Sequence, residues 1–246
     1  MRLSTPIQRI GIFVGGMRCG STAMHDYFQQ HPEVCVYKKK DPHFFSGDKE
    51  WEKGWESYLE GWKRYSSEQH KLAFESSTHY AKAPMYPKTA ERMAASPFDM
   101  RLIYGVRPPI ERIESHFVHN AGKAYYDPDN QEERSRLLKQ AVNVSDYLMQ
   151  IERFERYFSQ HQLIVIETGD LIKKPCETLS RVCEFLGVDA SYQFDPIPRR
   201  PRRFKQDVSE IKLTEEEIYT ASKALYEPTK AFETKYGLKL WDGVTP

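Results

Sequence analysis

Four stretches of this chain bring together residue types that can do chemistry. The first is Gly15-Gly16-Met17-Arg18-Cys19-Gly20-Ser21-Thr22, between an apolar run and a helical pattern. Glycines let the backbone fold back and aim several N–H groups inward, and a helix N-terminus adds partial positive charge. Ser21 and Thr22 offer hydroxyls at the same place, so the segment reads as an anion cradle. Its spacing nearly fits the triphosphate loop GxxxxGK[ST]. Gly15, Gly20 and Thr22 fall into register, but Ser21 stands at the lysine position and the nearby cation is Arg18. A small-molecule kinase would therefore lack its phosphate lysine, and no strand pattern ends in a metal-binding Asp, which disfavours Mg-triphosphate chemistry. By itself the loop is equally compatible with a ligand-free glycine turn.

The second stretch is LIYGVRPPIERIESHF, with Arg107 at the end of a strand pattern and Ser115 two helical turns on. Open α/β sheets bind ligands at the carboxyl ends of their strands, and a guanidinium fork and a hydroxyl can converge on one phosphate. The alternatives are a surface pair for Arg107 and a solvated Ser115. Arg112 is expected to pair on the helix surface. The third is Pro198-Arg199-Arg200-Pro201-Arg202-Arg203-Phe204-Lys205, basic enough to attract an anion; a solvated loop or a nucleic-acid patch are its rivals. The fourth comprises two strand exits, Lys38-Lys39-Lys40-Asp41-Pro42-His43-Phe44-Phe45 and Phe74-Glu75-Ser76-Ser77-Thr78-His79-Tyr80. His43 has the unperturbed pKa of a base near neutrality. It could equally be a packed turn residue, and Asp41 a partner for the adjacent lysines. Trp51, Trp55, Tyr58 and Trp62 could wall an acceptor, but their helical spacing favours core contacts for most of them.

These residues need a scaffold, and the pattern supplies an α/β one. Apolar runs at Ile10–Gly15, Val34–Tyr37, Leu72–Ser76, Met100–Val106 and Leu163–Ile166 predict strands. Helices are expected over Ser21–His31 and Pro87–Ala95, and after Pro109, with Ile110, Ile113, Phe117 and Val118 on one face. Further helices are expected around Tyr147–Phe158, over Pro175–Leu186 closed by Gly187, and from Thr214, where Glu217 completes a capping box. The expected fold is a three-layer α/β sandwich on a parallel sheet of four to five strands, resembling P-loop NTPases, in one domain spanning residues 1–246.

Lys plus Arg number 36 against 35 Asp plus Glu in 246 residues, a formal net charge of +1, which argues against a nucleic-acid binder. No run approaches the ~20 apolar residues of a membrane span, and the start is too short and wrongly flanked for a secretory signal. The chain thus reads as a complete cytoplasmic protein. The four cysteines show no CxxC pair and no Cys/His zinc spacing, so neither metal nor disulfide is expected, and Cys176 and Cys183 read as core residues of one helix.

GGMRCGSTAMHDYFQQHPEV resembles the 5'-phosphosulfate loop of sulfotransferases that use PAPS, 3'-phosphoadenosine 5'-phosphosulfate. The usual form there is Lys-x-Gly-Thr-(Thr/Ser), with a His-Pro beyond the helix. Arg18 takes the place of the lysine, keeping its charge but exchanging an ammonium for a planar fork. The resemblance runs nearly the whole chain, through VIETGDLIKKPCETLSRVCEFLGVD to KYGLKLWDG. It implies donor contacts from Gly16, Met17, Arg18, Cys19, Gly20, Ser21 and Thr22, with Arg18 serving the leaving oxygen. It implies a 3'-phosphate site of Arg107 and Ser115, and a covering basic loop in which Arg202 and Arg203 are the candidates. Asp41 falls on the position of the family's catalytic Glu and His43 on that of its His; either could be the base, Asp41 slightly ahead on the resemblance. Glu75 and His79 could line the acceptor pocket, although Ser76 replaces a family lysine. The implied reaction moves a sulfuryl group from PAPS to a hydroxyl or amine, leaving PAP, without metal. The expected acceptor is a small molecule, such as a natural product, with no nucleic-acid or membrane partner. A non-catalytic nucleotide-binding module is the alternative to be set beside the kinase.

Overall fold

The computed structural model describes residues 5–198, 204 and 207–245. Arg202 and Arg203 lie outside the described residues. The chain forms two compact units, Met1–Val106 with Ile151–Ile197, and Arg107–Gln150 with Pro198–Pro246.

The first unit carries the sheet. Its strands are β1 (Arg9–Gly15), β2 (Val34–Val36), β3 (Leu72–Ser76), β4 (Asp99–Val106) and β5 (Leu163–Glu167), each within one residue of its expected bounds. All pair in parallel, in the order β2-β3-β1-β4-β5. The strands read as apolar runs because helices cover both faces of such a sheet. From β1 the chain steps past β3 to β2; from β3 it steps past β1 to β4, in the opposite direction. Right-handed crossovers then require the two connections to lie on opposite faces. All strand C-termini share one edge, and β1, the middle strand, delivers its exit loop to the centre of that edge.

The helices among the described residues are α1 (Ser21–Phe28), α2 (Asp48–Glu52), α3 (Gly54–Leu59), α4 (Thr89–Ala94), α5 (Pro109–Gly122), α6 (Gln131–Ser145), α7 (Tyr147–Glu155), α8 (Thr168–Lys173), α9 (Pro175–Leu186) and α10 (Glu215–Tyr236). On one face of the sheet, Met24 and Phe28 of α1 and Leu179, Val182 and Leu186 of α9 pack with Phe13, Leu72, Phe74 and Ile103. Gly187 ends α9 in the left-handed region, φ 75°, as its position promised. All four cysteines are free; Cys183 is buried, but Cys176, expected in the core, is exposed because it starts its helix on the outer side.

The second unit is helical. Ile110, Ile113 and Phe117 of α5 form the expected stripe and pack with Leu137, Leu138 and Ala141 of α6 and Ala221 and Leu225 of α10. Val118, expected on the same face, is only half-buried. The capping box closes as read: Glu217 N–H donates to Thr214 Oγ1 at 3.2 Å, and Thr214 N–H to Glu217 Oε2 at 2.8 Å. Glu217 also accepts from Arg134 Nε at 2.6 Å, which joins α6 to the start of α10.

Candidate active site

The loop after β1 folds back on itself. Gly16 N–H donates to Gly105 O at 2.6 Å and Cys19 N–H to Gly16 O at 3.2 Å. These two amides hold the shape of the loop in which Gly16 and Cys19 are the expected donor contacts. Arg18 and Gly20 take left-handed φ of 69° and 89°, a turn that aims amides to one side. The first helical bond of α1 runs from Met24 N–H to Gly20 O at 3.0 Å, so the amides of Ser21, Thr22 and Ala23 have no acceptor within the helix. Ser21 is buried, Met17, Arg18 and Gly20 are half-buried, and Thr22 is exposed. Gly105 is required on the neighbouring strand: a Cβ there would sit 2.5 Å from the Cys19 carbonyl oxygen.

The exits of β3 and β2 are laced to the end of β1. Ser77 N–H donates to Phe13 O at 3.0 Å and Ala81 N–H to Val14 O at 3.1 Å. Asp41 N–H donates to Ser76 O at 2.9 Å, and Thr78 N–H returns a bond to Asp41 Oδ1 at 3.2 Å. The other carboxylate oxygen of Asp41 meets Lys40 Nζ at 2.7 Å, so the pairing with an adjacent lysine considered from sequence is present. Burial raises the Asp41 pKa, but the Lys40 charge and the bonds from Lys40 and Thr78 outweigh it and hold the carboxyl below its ordinary value. Burial pushes His43 below the ordinary imidazole value against the pull of Asp41, so the ring is neutral at pH 7. Among the described residues, no side chain hydrogen-bonds its ring nitrogens.

Asp41 and His43 have φ of 57° and 59°; with Arg18 they are three of the four non-glycine residues with positive φ among the described residues. Such conformations cost on the order of 1–3 kcal/mol each and persist where the surroundings over-determine them. Here the surroundings are aromatic. Phe44 stacks on Tyr58 at 4.2 Å and touches Trp51 and Trp55, while Phe45 meets Tyr80 edge-on at 5.5 Å. Tyr58 and Trp62 are buried as core residues, whereas Trp51 and Trp55 remain half-exposed.

Glu75, one of the two residues expected to line the acceptor pocket, is fully buried beneath the loop. Tyr58 donates to its Oε1, and Tyr80 donates to Oε1 at 3.1 Å. Burial raises its pKa to about 8, the two tyrosine bonds opposing and the Asp41 charge adding, so the carboxyl is protonated at neutrality. His79 lies edge to face with His43, ring centroids 4.1 Å apart at 87°, and leans on Tyr86 at 5.6 Å. Burial, then Lys82 and His43, push its pKa down to about 3. Among the described residues, His79 Nδ1, Ser76 Oγ and His25 Nδ1 are buried without hydrogen-bond partners. His25 escaped the sequence reading because a histidine between Met24 and Phe28 on an apolar helix looks like core. Its pKa is lowered by burial and by Lys40, so it shares the field of the Asp41 loop.

Arg107 and Ser115 belong to the second unit. The Arg107 guanidinium pairs with Glu111 one turn along, and its carbonyl accepts from Tyr147 Oη at 2.9 Å. Ser115 is half-buried on α5. Arg112 is not on the helix surface, as expected, but fully buried, donating through Nε to Ser145 Oγ and through Nη2 to Ala141 O, both at 2.6 Å. Those acceptors lie on α6, a helix with no strong apolar signature. No group of three or more His, Cys, Asp or Glu among the described residues is arranged to hold a metal ion, and no described helix is long and apolar enough to cross a membrane.

The family description "Sulfotransferase domain" matches residues 11–233. Human heparan sulfate glucosamine 3-O-sulfotransferase 5 is 28% identical over 203 residues, covering 76% of this chain and 56% of that protein. The membrane-associated sulfotransferase kil1 of Dictyostelium discoideum is 28% identical over 157 residues, covering 62% of this chain and 32% of that protein. The chain thus spans about half the length, or less, of such relatives. A sulfotransferase from Alicyclobacillus acidocaldarius superimposes with a TM-score of 0.74 at 21% identity, covering 94% of this chain and 96% of that one. The sulfotransferase domain from the curacin biosynthetic pathway does so at 0.56 and 19% identity, covering 96% and 99%. With the fold, the loop after β1 and a match over most of its length in agreement, the chain belongs to the sulfotransferase domain family.

Proposed function

We propose that the chain transfers the sulfuryl group of PAPS to a hydroxyl or amine of a small-molecule acceptor. The observation that carries this is the lacing of two loops at one sheet edge: the fold-back anion loop of β1, and the Asp41–His43 loop tied to it through Ser76 and Ser77. An in-line displacement needs those two parts, an anchor for the leaving phosphate and a group to take the acceptor proton. A ring nitrogen of neutral His43 accepts the proton as the acceptor oxygen or nitrogen bonds to sulfur. The bond from sulfur to the 5'-phosphate oxygen breaks, and the charge on that oxygen is met by Arg18 and the N-terminus of α1. Asp41 is the weaker proton acceptor, because both its oxygens are already bonded; with Lys40 it holds the loop and offsets the charge gained by His43. Arg107, Ser115, Arg202 and Arg203 enter the proposal for the 3'-phosphate through the resemblance alone.

Thermal denaturation without metal tests the donor claim. PAP at ~100-fold its Kd should add about 2.7 kcal/mol of stability. Stabilisation by Mg-ATP with none by PAP would point to a kinase instead. The names of the curated relatives speak for a glycan acceptor, so sulfuryl transfer should be assayed with 2-naphthol and with a glucosamine-containing oligosaccharide side by side; turnover of the oligosaccharide alone removes the small-molecule clause.

A further inference from the structure

The His43 ring is fixed by unusual means. Its backbone is left-handed, and no side chain among the described residues hydrogen-bonds its ring nitrogens. The plane of the imidazole is therefore set by packing. The ring that packs against it is His79, perpendicular at 4.1 Å, itself backed by Tyr86 at 5.6 Å. Among the described residues His79 Nδ1 is buried with no partner, so no hydrogen bond at that nitrogen holds the ring. What the structure does show at this side chain is its ring contact with His43 on one side and Tyr86 on the other.

We propose that His79 is a positioning residue for His43: its uncharged ring fixes the plane of the neighbouring imidazole and shields it from solvent. This rests on the reading of His43 as the proton acceptor of sulfuryl transfer. The role requires His79 to stay neutral, since a second imidazolium at 4.1 Å would oppose the first. Its burial and the nearby Lys82 and Lys40 secure that, against the opposing charge of Asp41. The charges facing His43 are Asp41 and Glu50, which favour its cation, and Lys82 and Lys40, which oppose it.

The test uses two variants in the full chain. His79→Phe keeps a ring that cannot ionise, and His79→Ala removes the ring. His79→Ala should lower kcat at least 10-fold, with KM for PAPS and for 2-naphthol within about 2-fold of the parent, the signature of an interaction that strengthens on the way to the transition state. Removing the shield lets the His43 pKa rise toward its ordinary value, so the acid limb of the kcat/KM profile should move to higher pH. His79→Phe should return kcat to within about 3-fold of the parent and restore the limb. The His43 ring signal, titrated by NMR in all three proteins with PAP bound, should follow the same order without any turnover. An unchanged His43 titration in His79→Ala overturns the proposal. So does a His79→Phe enzyme as impaired as His79→Ala, which would assign the role to the nitrogen instead of the ring. If the titration shifts as expected but no acceptor is sulfated, the positioning role stands and the catalytic reading fails.

Discussion

Replacing Glu75 with Gln should flatten the pH dependence of stability. In the folded chain the Glu75 carboxyl is wholly buried, accepts from Tyr58 and Tyr80, and has its pKa raised to about 8. In the unfolded chain it titrates near the ordinary value of about 4.3. Below that value both states hold the proton and the group contributes its full stability. As the pH rises the unfolded state releases the proton while the folded state keeps it, so stability falls until the folded pKa is passed. The loss is about 1.4 kcal/mol per pH unit across that window. Between about pH 5 and about pH 7.5 it amounts to roughly 3 kcal/mol, a large part of a typical folding free energy. Gln is the same size and neutral throughout. Its carbonyl can accept from both tyrosines, and its amide stands where the second oxygen faces Tyr80, 3.3 Å away. Urea unfolding of both proteins at four pH values across the window measures the effect. Glu75→Gln should lie within about 1 kcal/mol of the parent at the acid end and be more stable by about 3 kcal/mol at the alkaline end. Other titrating groups are common to both proteins and drop out of the difference. Parallel curves would refute the claim that the buried carboxyl is protonated.

Gly105→Ala should cost about 1–3 kcal/mol through overpacking against the Cys19 carbonyl, read by urea unfolding, and should weaken PAP binding measured by isothermal titration calorimetry. If Arg18 serves the leaving oxygen as proposed, Arg18→Ala should reduce turnover more than PAP affinity, and Arg18→Lys should recover part of the turnover. Arg112→Ala should lose about 3 kcal/mol of stability by leaving a cavity and stripping donors from Ser145 and Ala141. Arg112→Lys should not recover it, because one ammonium cannot occupy the positions of a guanidinium fork; denaturant midpoints decide both.

The strands were legible because a parallel sheet covered on both faces writes itself as short apolar runs bounded by turn residues. The helix α6 was not, because QEERSRLLKQAVNVS keeps only Leu137, Leu138, Ala141 and Val144 as a thin apolar stripe in a charged segment. The turn after β1 was legible from glycine spacing, but not the bond from Gly16 N–H that closes it, which depends on Gly105, distant in sequence. The burial of Arg112 depends on acceptors some thirty residues away on α6 and leaves no local trace. Asp41 and His43 were picked out by resemblance; that Lys40 and Thr78 would occupy the carboxylate depends on where β3 ends relative to β2.

The left-handed backbone at 41 and 43 restricts the alphabet available to evolution and to the experimenter. Asp, Asn, His and Gly enter that region far more readily than β-branched residues. Aspartate at 41 is thus the acid that this local backbone tolerates best. The same fact governs how any saturation library at these two positions must be read. A dead Asp41→Val or His43→Ile would report the cost of the turn, not the chemistry of the side chain. Asp41→Asn and His43→Asn keep residues that tolerate the turn while removing the titrating group, so the contrast between those two sets of variants separates the cost of the turn from the loss of the side chain at one loop.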